Sequence, residues 1–126
     1  MASDMRSPLA RASGLGSAKS GLRHWRAQRL SAVALVPLTL WFVASIITHT
    51  GSDYRAFAAW LRSPLTVTAM VLLLVVLFYH SALGLQVVIE DYVHSRVQFA
   101  AVIAIRLCSF AMGAAGVLAT LRIAFG

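Results

Sequence analysis

Acidic residues are scarce in this chain of 126 residues, which has four Asp and Glu against eleven Lys and Arg. So few carboxylates argue against a self-sufficient hydrolase and against a transporter that relays protons between acids. The sequence also lacks a nucleophile triad, a phosphate-binding glycine loop, zinc-ligand spacing and a dinucleotide fingerprint. We therefore expect no bond-making chemistry that belongs to this chain alone.

Cysteine is almost absent as well. Cys108 is the only one, so it can form no disulfide within the chain and does not indicate a redox compartment. The formal net charge of +7 would be typical of a nucleic-acid binder. However, six of the eleven basic residues precede the first apolar run, and loops alone do not build a surface that reads bases. We expect lipid headgroups, and no nucleic acid, beside this basic segment.

Long apolar runs account for most of what is present. The chain is 60% hydrophobic, and its mean hydropathy is +0.79. Three runs, at about residues 30–48, 65–89 and 97–123, approach or exceed the roughly 20 residues that cross a bilayer. The prediction is an all-α membrane protein with three transmembrane helices in one domain, residues 22–126. Between the first two runs, residues 52–64 carry apolar side chains at helical spacing, which predicts a short interfacial helix.

The amino-terminal residues 1–21 are small, polar and basic. They predict a flexible tail, with an Arg- and Ser-rich transit peptide as the alternative. A cleaved signal peptide is not expected, because the apolar run after Arg29 is too long and has no clear cleavage site. Six basic residues before the first span, two in the first loop and one in the second predict an amino terminus on the inner side, with Gly126 outside.

The stretch from His80 to Tyr92 is the strongest candidate for a functional site. His80 lies deep in the second apolar run, where an ionisable side chain is costly unless something compensates it. The ring either bonds a neighbouring helix or ligates iron, as neutral imidazole often does. Gly84, one helical turn later, would leave room for a flat ring. The other histidines lie near the ends of the spans, so a second histidine ligand would come from another chain: His24, His49 and His94.

Three further polar side chains each allow two interpretations. Asp91 and Tyr92 end the second run, about 18 Å from His80 along a helix. Tyr92 is either an interfacial anchor or a phenol that donates to a carbonyl of a ligand, with Asp91 setting its environment. Arg29 is either a basic flank of the first span or a partner for a carboxylate such as a haem propionate.

The third run has two features of its own. Arg106 lies about nine residues inside it, so its side chain either reaches the interface or pairs with an acid. We favour the first and assign Arg106 to no site. Ala111, Ala115 and Ala119 are spaced by four, which predicts a face for close helix packing.

The pattern H-x3-G-x6-D-Y at the end of the second span resembles the small hydrophobic anchor subunit of succinate dehydrogenase, respiratory complex II. The lead-in SGLRHWRAQRLSAVALVPL before the first span is similar to that family's amino-terminal pattern. QVVIEDYVH is like the alphaproteobacterial and mitochondrial branch. The resemblance covers about residues 16–126.

This resemblance implies a three-helix subunit that pairs with a cytochrome b-type anchor subunit and docks an iron–sulfur subunit and a flavoprotein on the inner side. It implies that His80 is one axial ligand of haem b. It also implies that Tyr92 bonds ubiquinone, with Asp91 beside it, and that Arg29 lies near the haem propionates and the quinone. It assigns no function to His24 or Gln86.

The expected location is the bacterial cytoplasmic membrane with the amino terminus in the cytoplasm, or alternatively the mitochondrial inner membrane. Two other functions stay open. One is the anchor of a quinol:fumarate reductase, which would share the fold. The other is a structural or assembly protein of the membrane without a cofactor.

Overall fold

Four helices make up the part of the protein that its structure, a computed structural model, describes, namely residues 7–9 and 18–126. They are α1 (Ala18–His49), α2 (Tyr54–Arg62), α3 (Pro64–Tyr92) and α4 (Arg96–Phe125). No strand occurs in these residues, and the prediction of an all-α fold is confirmed. Most of the predicted tail, residues 1–21, lies outside the described residues, although α1 already begins at Ala18.

Three of the helices are long and apolar enough to cross a membrane, over Gly21–His49, Pro64–Tyr92 and Arg96–Phe125. This confirms the prediction of three helices that could span a membrane. Each helix extends beyond its apolar run. A helix of 29 residues is about 43 Å long, whereas the hydrocarbon core is roughly 30 Å thick. The helix ends, including Tyr92, therefore reach the headgroup region.

α3 lies between α1 and α4, and glycines bring α4 close to it. A Cβ on Gly113 would lie 3.4 Å from Phe78, and one on Gly116 would lie 3.2 Å from Leu74. Thr120, one turn further, is buried as well.

The packing face predicted for α4 is not used within the described part of this chain. Ala111, Ala115 and Ala119 are all exposed in the described chain. The contact with α3 follows Gly113, Gly116 and Thr120, which are spaced i, i+3 and i+7 on another face of α4. Leu74 and Phe78 project from α3 at these levels, and a side chain on either glycine would keep the two backbones further apart.

The short helix α2 is confirmed and packs against α3 and α4. The end of the bundle that carries α2 is named the outer end, and the opposite end the inner end, after the topology predicted from the sequence. The Asp53 carboxylate accepts the Ala56 N–H at 2.8 Å and caps its first turn. Ala58 and Leu61 are buried.

Aromatic rings and one arginine fasten α2 to the spans. Trp60 lies 4.6 Å from the His49 ring and 6.1 Å from Trp41, between ring centroids. Arg62 donates from Nε to the carbonyl oxygen of Ile123, in the last turn of α4, at 3.3 Å. A cation there also complements the negative end of the helix dipole. Contacts within the chain thus hold α2 against the spans at the outer end.

The inner turn between α3 and α4 is tight. The Val93 N–H donates to the Ile89 carbonyl at 2.8 Å and ends α3. Ser95 then has φ 77°, a left-handed conformation that non-glycine residues seldom adopt. The Gln98 side chain donates to the Glu90 carbonyl oxygen at 3.2 Å and ties the two helices together. This turn holds Tyr92 at the inner end of α3.

Candidate functional site

His80 lies in the middle of α3 and meets α1. Its Nδ1 is 2.9 Å from the hydroxyl oxygen of Ser31, which is itself only 7% exposed. The Ser31 hydroxyl also donates to the Gln28 carbonyl oxygen at 2.9 Å, one turn earlier on α1. The imidazole is therefore held to the neighbouring helix through one of its two ring nitrogens.

The other ring nitrogen of His80 stays open. Nε2 has no hydrogen-bond partner among the described residues, and it is not one of their buried, unpartnered atoms. One nitrogen of His80 therefore bonds a neighbouring helix, and the other has no hydrogen-bond partner among the described residues.

The space beside Gly84 is occupied by this chain itself. A Cβ built on Gly84 would lie 3.7 Å from the side-chain nitrogen of Gln28. Gln28 and Ser31 on α1 thus face Gly84 and His80 on α3 in antiparallel order. A groove of about 440 Å³ opens beside this contact, and small side chains of α1, Ala27, Ser31 and Ala34, line one wall. A Cβ at Gly84 would contact Gln28 at an ordinary distance, and the groove is lined by Ser31, the partner of His80, and not by His80 itself.

Tyr92 and Asp91 form the inner end of α3, and both side chains are exposed. Tyr92 is 82% exposed, although it is the last residue of an apolar membrane helix. Little of the phenol is covered by this chain, so it is accessible to lipid headgroups, water or another molecule. Twelve residues, or about 18 Å of helix, separate it from His80.

Arg29 is exposed on α1, and its guanidinium carbon lies 5.4 Å from the centre of the Trp25 ring. This cation–π contact steadies the side chain and leaves its N–H groups available for an anion. Arg29 precedes Ser31 by two residues, about 3 Å along the axis, so it lies near the depth of His80.

Arg106 is exposed and has a polar partner on α3, and its extension towards the interface stays a prediction. Its Nε and Nη2 donate to the side-chain oxygen of Gln86 at 3.2 and 2.8 Å. The Gln86 nitrogen in turn donates to the Glu90 carboxylate at 2.8 Å. A bridging amide thus links the cation to an acid, which lowers the cost of the charge within the membrane.

The sequence profile of the family described as "Succinate dehydrogenase/Fumarate reductase transmembrane subunit" matches residues 3–113. The chain belongs to this family. It is 34% identical over 110 residues to the succinate dehydrogenase hydrophobic membrane anchor subunit of Rickettsia bellii, covering 86% of this chain and 88% of that relative. It is 32% identical over 119 residues to the subunit of the same name from Paracoccus denitrificans, covering 94% and 92%. No solved structure matches.

Within this transmembrane subunit, the candidate residues form two separate groups. His80 comes together with Ser31, which sequence reasoning missed, and Arg29 lies at a similar depth on α1. Asp91 and Tyr92 lie apart at the inner end. Among residues 7–9 and 18–126, no three His, Cys, Asp or Glu side chains cluster as ligands for a metal ion. A metal-binding role of His80 therefore needs ligands from outside the described part of the chain.

Two polar groups had a sequence signal that was not used. Ser31 follows Gln28 by three residues, and a serine inside a helix often bonds the backbone carbonyl three or four residues before it. Gln86, to which the sequence assigns no role, is the direct partner of Arg106. His24 carries a buried Nε2 with no hydrogen-bond partner in the described residues, and nothing in the structure assigns it a function.

Proposed function

We propose that this chain is the hydrophobic membrane anchor of a succinate:quinone oxidoreductase and supplies one haem b ligand and part of a ubiquinone site. The observation that carries the proposal is the His80 ring in the middle of a membrane helix, fastened at Nδ1 and open at Nε2. The names of the relatives from Rickettsia and Paracoccus support succinate dehydrogenase over fumarate reductase.

The bonding of the His80 ring is suited to a ligand of haem iron. A neutral imidazole that offers Nε2 is a common iron ligand, and its second nitrogen is usually hydrogen-bonded. Since one chain offers one such histidine, the second axial ligand comes from the cytochrome b-type partner subunit. Haem b supplies reversible one-electron storage when bound. Arg29, exposed at nearly the same depth, is suited to bind a propionate through paired N–H donors.

Tyr92 and Asp91 fit the edge of a quinone site. The phenol is exposed at the inner end of α3 and can donate a hydrogen bond to a ubiquinone carbonyl. Asp91 beside it contributes negative charge and an acceptor. The chain thus supplies a donor, an apolar wall and an anchor, and the oxidation of succinate takes place in the flavoprotein.

The inner side is also where the iron–sulfur subunit and the flavoprotein dock in this proposal. The excess of basic residues before the first apolar run favours an inner amino terminus, which brings the lead-in and Tyr92 to the same side. The membrane would be the bacterial cytoplasmic membrane.

Replacing His80 by alanine tests the haem assignment. We expect His80→Ala to lower the haem content of the purified complex strongly, because half of the axial ligation is lost. His94→Ala, a histidine in the exposed inner turn, is the matched control and should keep the haem. Haem is measured by the reduced-minus-oxidised spectrum per mole of flavin. Full haem content with an unchanged low-spin spectrum in His80→Ala would refute the ligand role.

Replacing Tyr92 by phenylalanine tests the quinone site, because it removes only the hydroxyl. A lost hydrogen bond costs about 1–3 kcal/mol, which is roughly ten- to a hundredfold in quinone reduction. Succinate oxidation with a soluble artificial acceptor should stay near normal. Tyr54→Phe, an exposed tyrosine at the outer end, should change neither assay. If both activities of Tyr92→Phe stayed normal, the phenol would be only an interfacial anchor.

A further inference from the structure

The Ser31 hydroxyl is the only polar group in the described chain that bonds the His80 ring. Ser31 is buried between α1 and α3, and its Oγ lies 2.9 Å from two partners, His80 Nδ1 and the Gln28 carbonyl oxygen. The two residues that this contact joins lie on different helices and are 49 positions apart in the sequence.

Both contacts can be hydrogen bonds at the same time in only one placement of the protons. A serine hydroxyl has a single hydrogen, and a carbonyl oxygen can only accept. Since Ser31 donates its hydrogen to the Gln28 carbonyl, its oxygen must accept at the second contact. His80 Nδ1 therefore carries a hydrogen and donates it to Ser31, and in the neutral ring Nε2 keeps the lone pair.

The same bond also restricts the orientation of the ring. A histidine on a membrane helix can rotate about χ1 and χ2, and only some rotamers aim Nε2 away from its own helix. A bond from Nδ1 to a buried hydroxyl on α1 selects one of them. The hydroxyl is itself fixed, because its hydrogen is bonded to the backbone of α1.

We propose that Ser31 is a positioning residue for His80: it selects the Nδ1–H tautomer, aims Nε2 out of the chain and tunes the electron donation of the imidazole to iron. This inference rests on the proposed haem ligation. A hydrogen-bond acceptor at the far nitrogen makes an imidazole a stronger ligand, which favours ferric over ferrous iron. Loss of the acceptor should therefore raise the midpoint potential of the haem.

The test uses the intact purified complex with Ser31→Ala, which removes the acceptor, and Ser31→Thr, which keeps a hydroxyl. Ser45→Ala is the matched control, since Ser45 is also a buried serine of α1 and lies about 21 Å from Ser31 along the helix. The readouts are haem content, the potentiometric titration of the haem and the electron paramagnetic resonance of its ferric state.

In Ser31→Ala we expect a positive shift of the haem potential and a changed ferric signal. At the wild-type midpoint, the ferrous-to-ferric ratio should rise roughly two- to tenfold, as expected for the loss of one neutral hydrogen bond. The haem potential and ferric signal of Ser31→Thr should lie close to those of the wild type, and those of Ser45→Ala should equal the wild-type values. If Ser31→Ala loses its haem, retention of haem in Ser31→Thr still supports the role of the hydroxyl.

Two results would overturn the inference. One is a Ser31→Ala complex with full haem and an unchanged potential and ferric signal. The other is equal haem loss in Ser31→Ala and Ser31→Thr, because the effect would then follow packing and not the hydroxyl. Failure of the proposed function looks different: the wild-type complex itself would then contain no haem, or His80→Ala would keep it.

Discussion

The two sides of α3 are held by different means. Towards α1, α3 presents His80 and Gly84, and polar side chains of α1 pack onto them. Towards α4, α3 presents Leu74 and Phe78, and glycines of α4 receive them. The first side keeps a polar ring in a fixed orientation, whereas the second brings two backbones together. The difference indicates that the α1 side serves the candidate site and the α4 side serves stability.

The largest effect is expected from Arg106, the charged side chain well inside the span of α4. Gln86→Leu would remove the acceptor that Arg106 uses twice and leave the guanidinium without it. A hydrogen bond to a charged group is worth about 1.5–3 kcal/mol. The thermal midpoint of the purified complex should fall accordingly.

The double variant Gln86→Leu with Arg106→Leu separates the bond from the two side chains. Its loss of stability should be clearly smaller than the sum of the losses of the two single variants, since no guanidinium is left without its acceptor. Strictly additive losses would show that Gln86 and Arg106 do not stabilise each other.

A smaller effect is expected from the same substitution at a glycine on each side of α3. Gly116→Ala would place a methyl group 3.2 Å from Leu74, whereas Gly84→Ala would place one at an ordinary 3.7 Å from Gln28. Alanine favours a helix over glycine at both positions, so the difference in stability between the two variants reports packing. Gly116→Ala should be less stable than Gly84→Ala by about 1 kcal/mol, measured as the shift in thermal midpoint. Equal midpoints would mean that α4 can move away from α3 without loss.

The smallest effect is expected for Gln28→Leu, which repeats the glutamine-to-leucine change on the α1 side. The Gln28 side chain contacts Gly84, but Ser31 bonds the Gln28 backbone carbonyl, which leucine retains. Stability should change by less than about 1 kcal/mol, and the haem potential should stay at its wild-type value. A potential shift as large as that of Ser31→Ala would instead assign the tuning to the Gln28 side chain.

Much of the molecule follows from the sequence alone. Three runs of apolar residues leave the backbone no option in a bilayer but to form helices, because every N–H and C=O must be satisfied within the segment. The depth of His80 and the position of Tyr92 at a helix end follow from their places in the second run. The resemblance to the family followed from the same stretch together with the lead-in that forms the first half of α1.

The contacts between helices were decided by the tertiary structure. Counting by four along α4 selected Ala111, Ala115 and Ala119, but Leu74 and Phe78 of α3 require the space at Gly113 and Gly116. Arg106 could not be assigned because its partner Gln86 is 20 residues away, on another helix. Likewise, the tautomer of His80 depends on Ser31, 49 residues earlier. Hydropathy determines how each segment lies in the membrane, whereas the rotation of one helix against the next depends on which side chains fit between them.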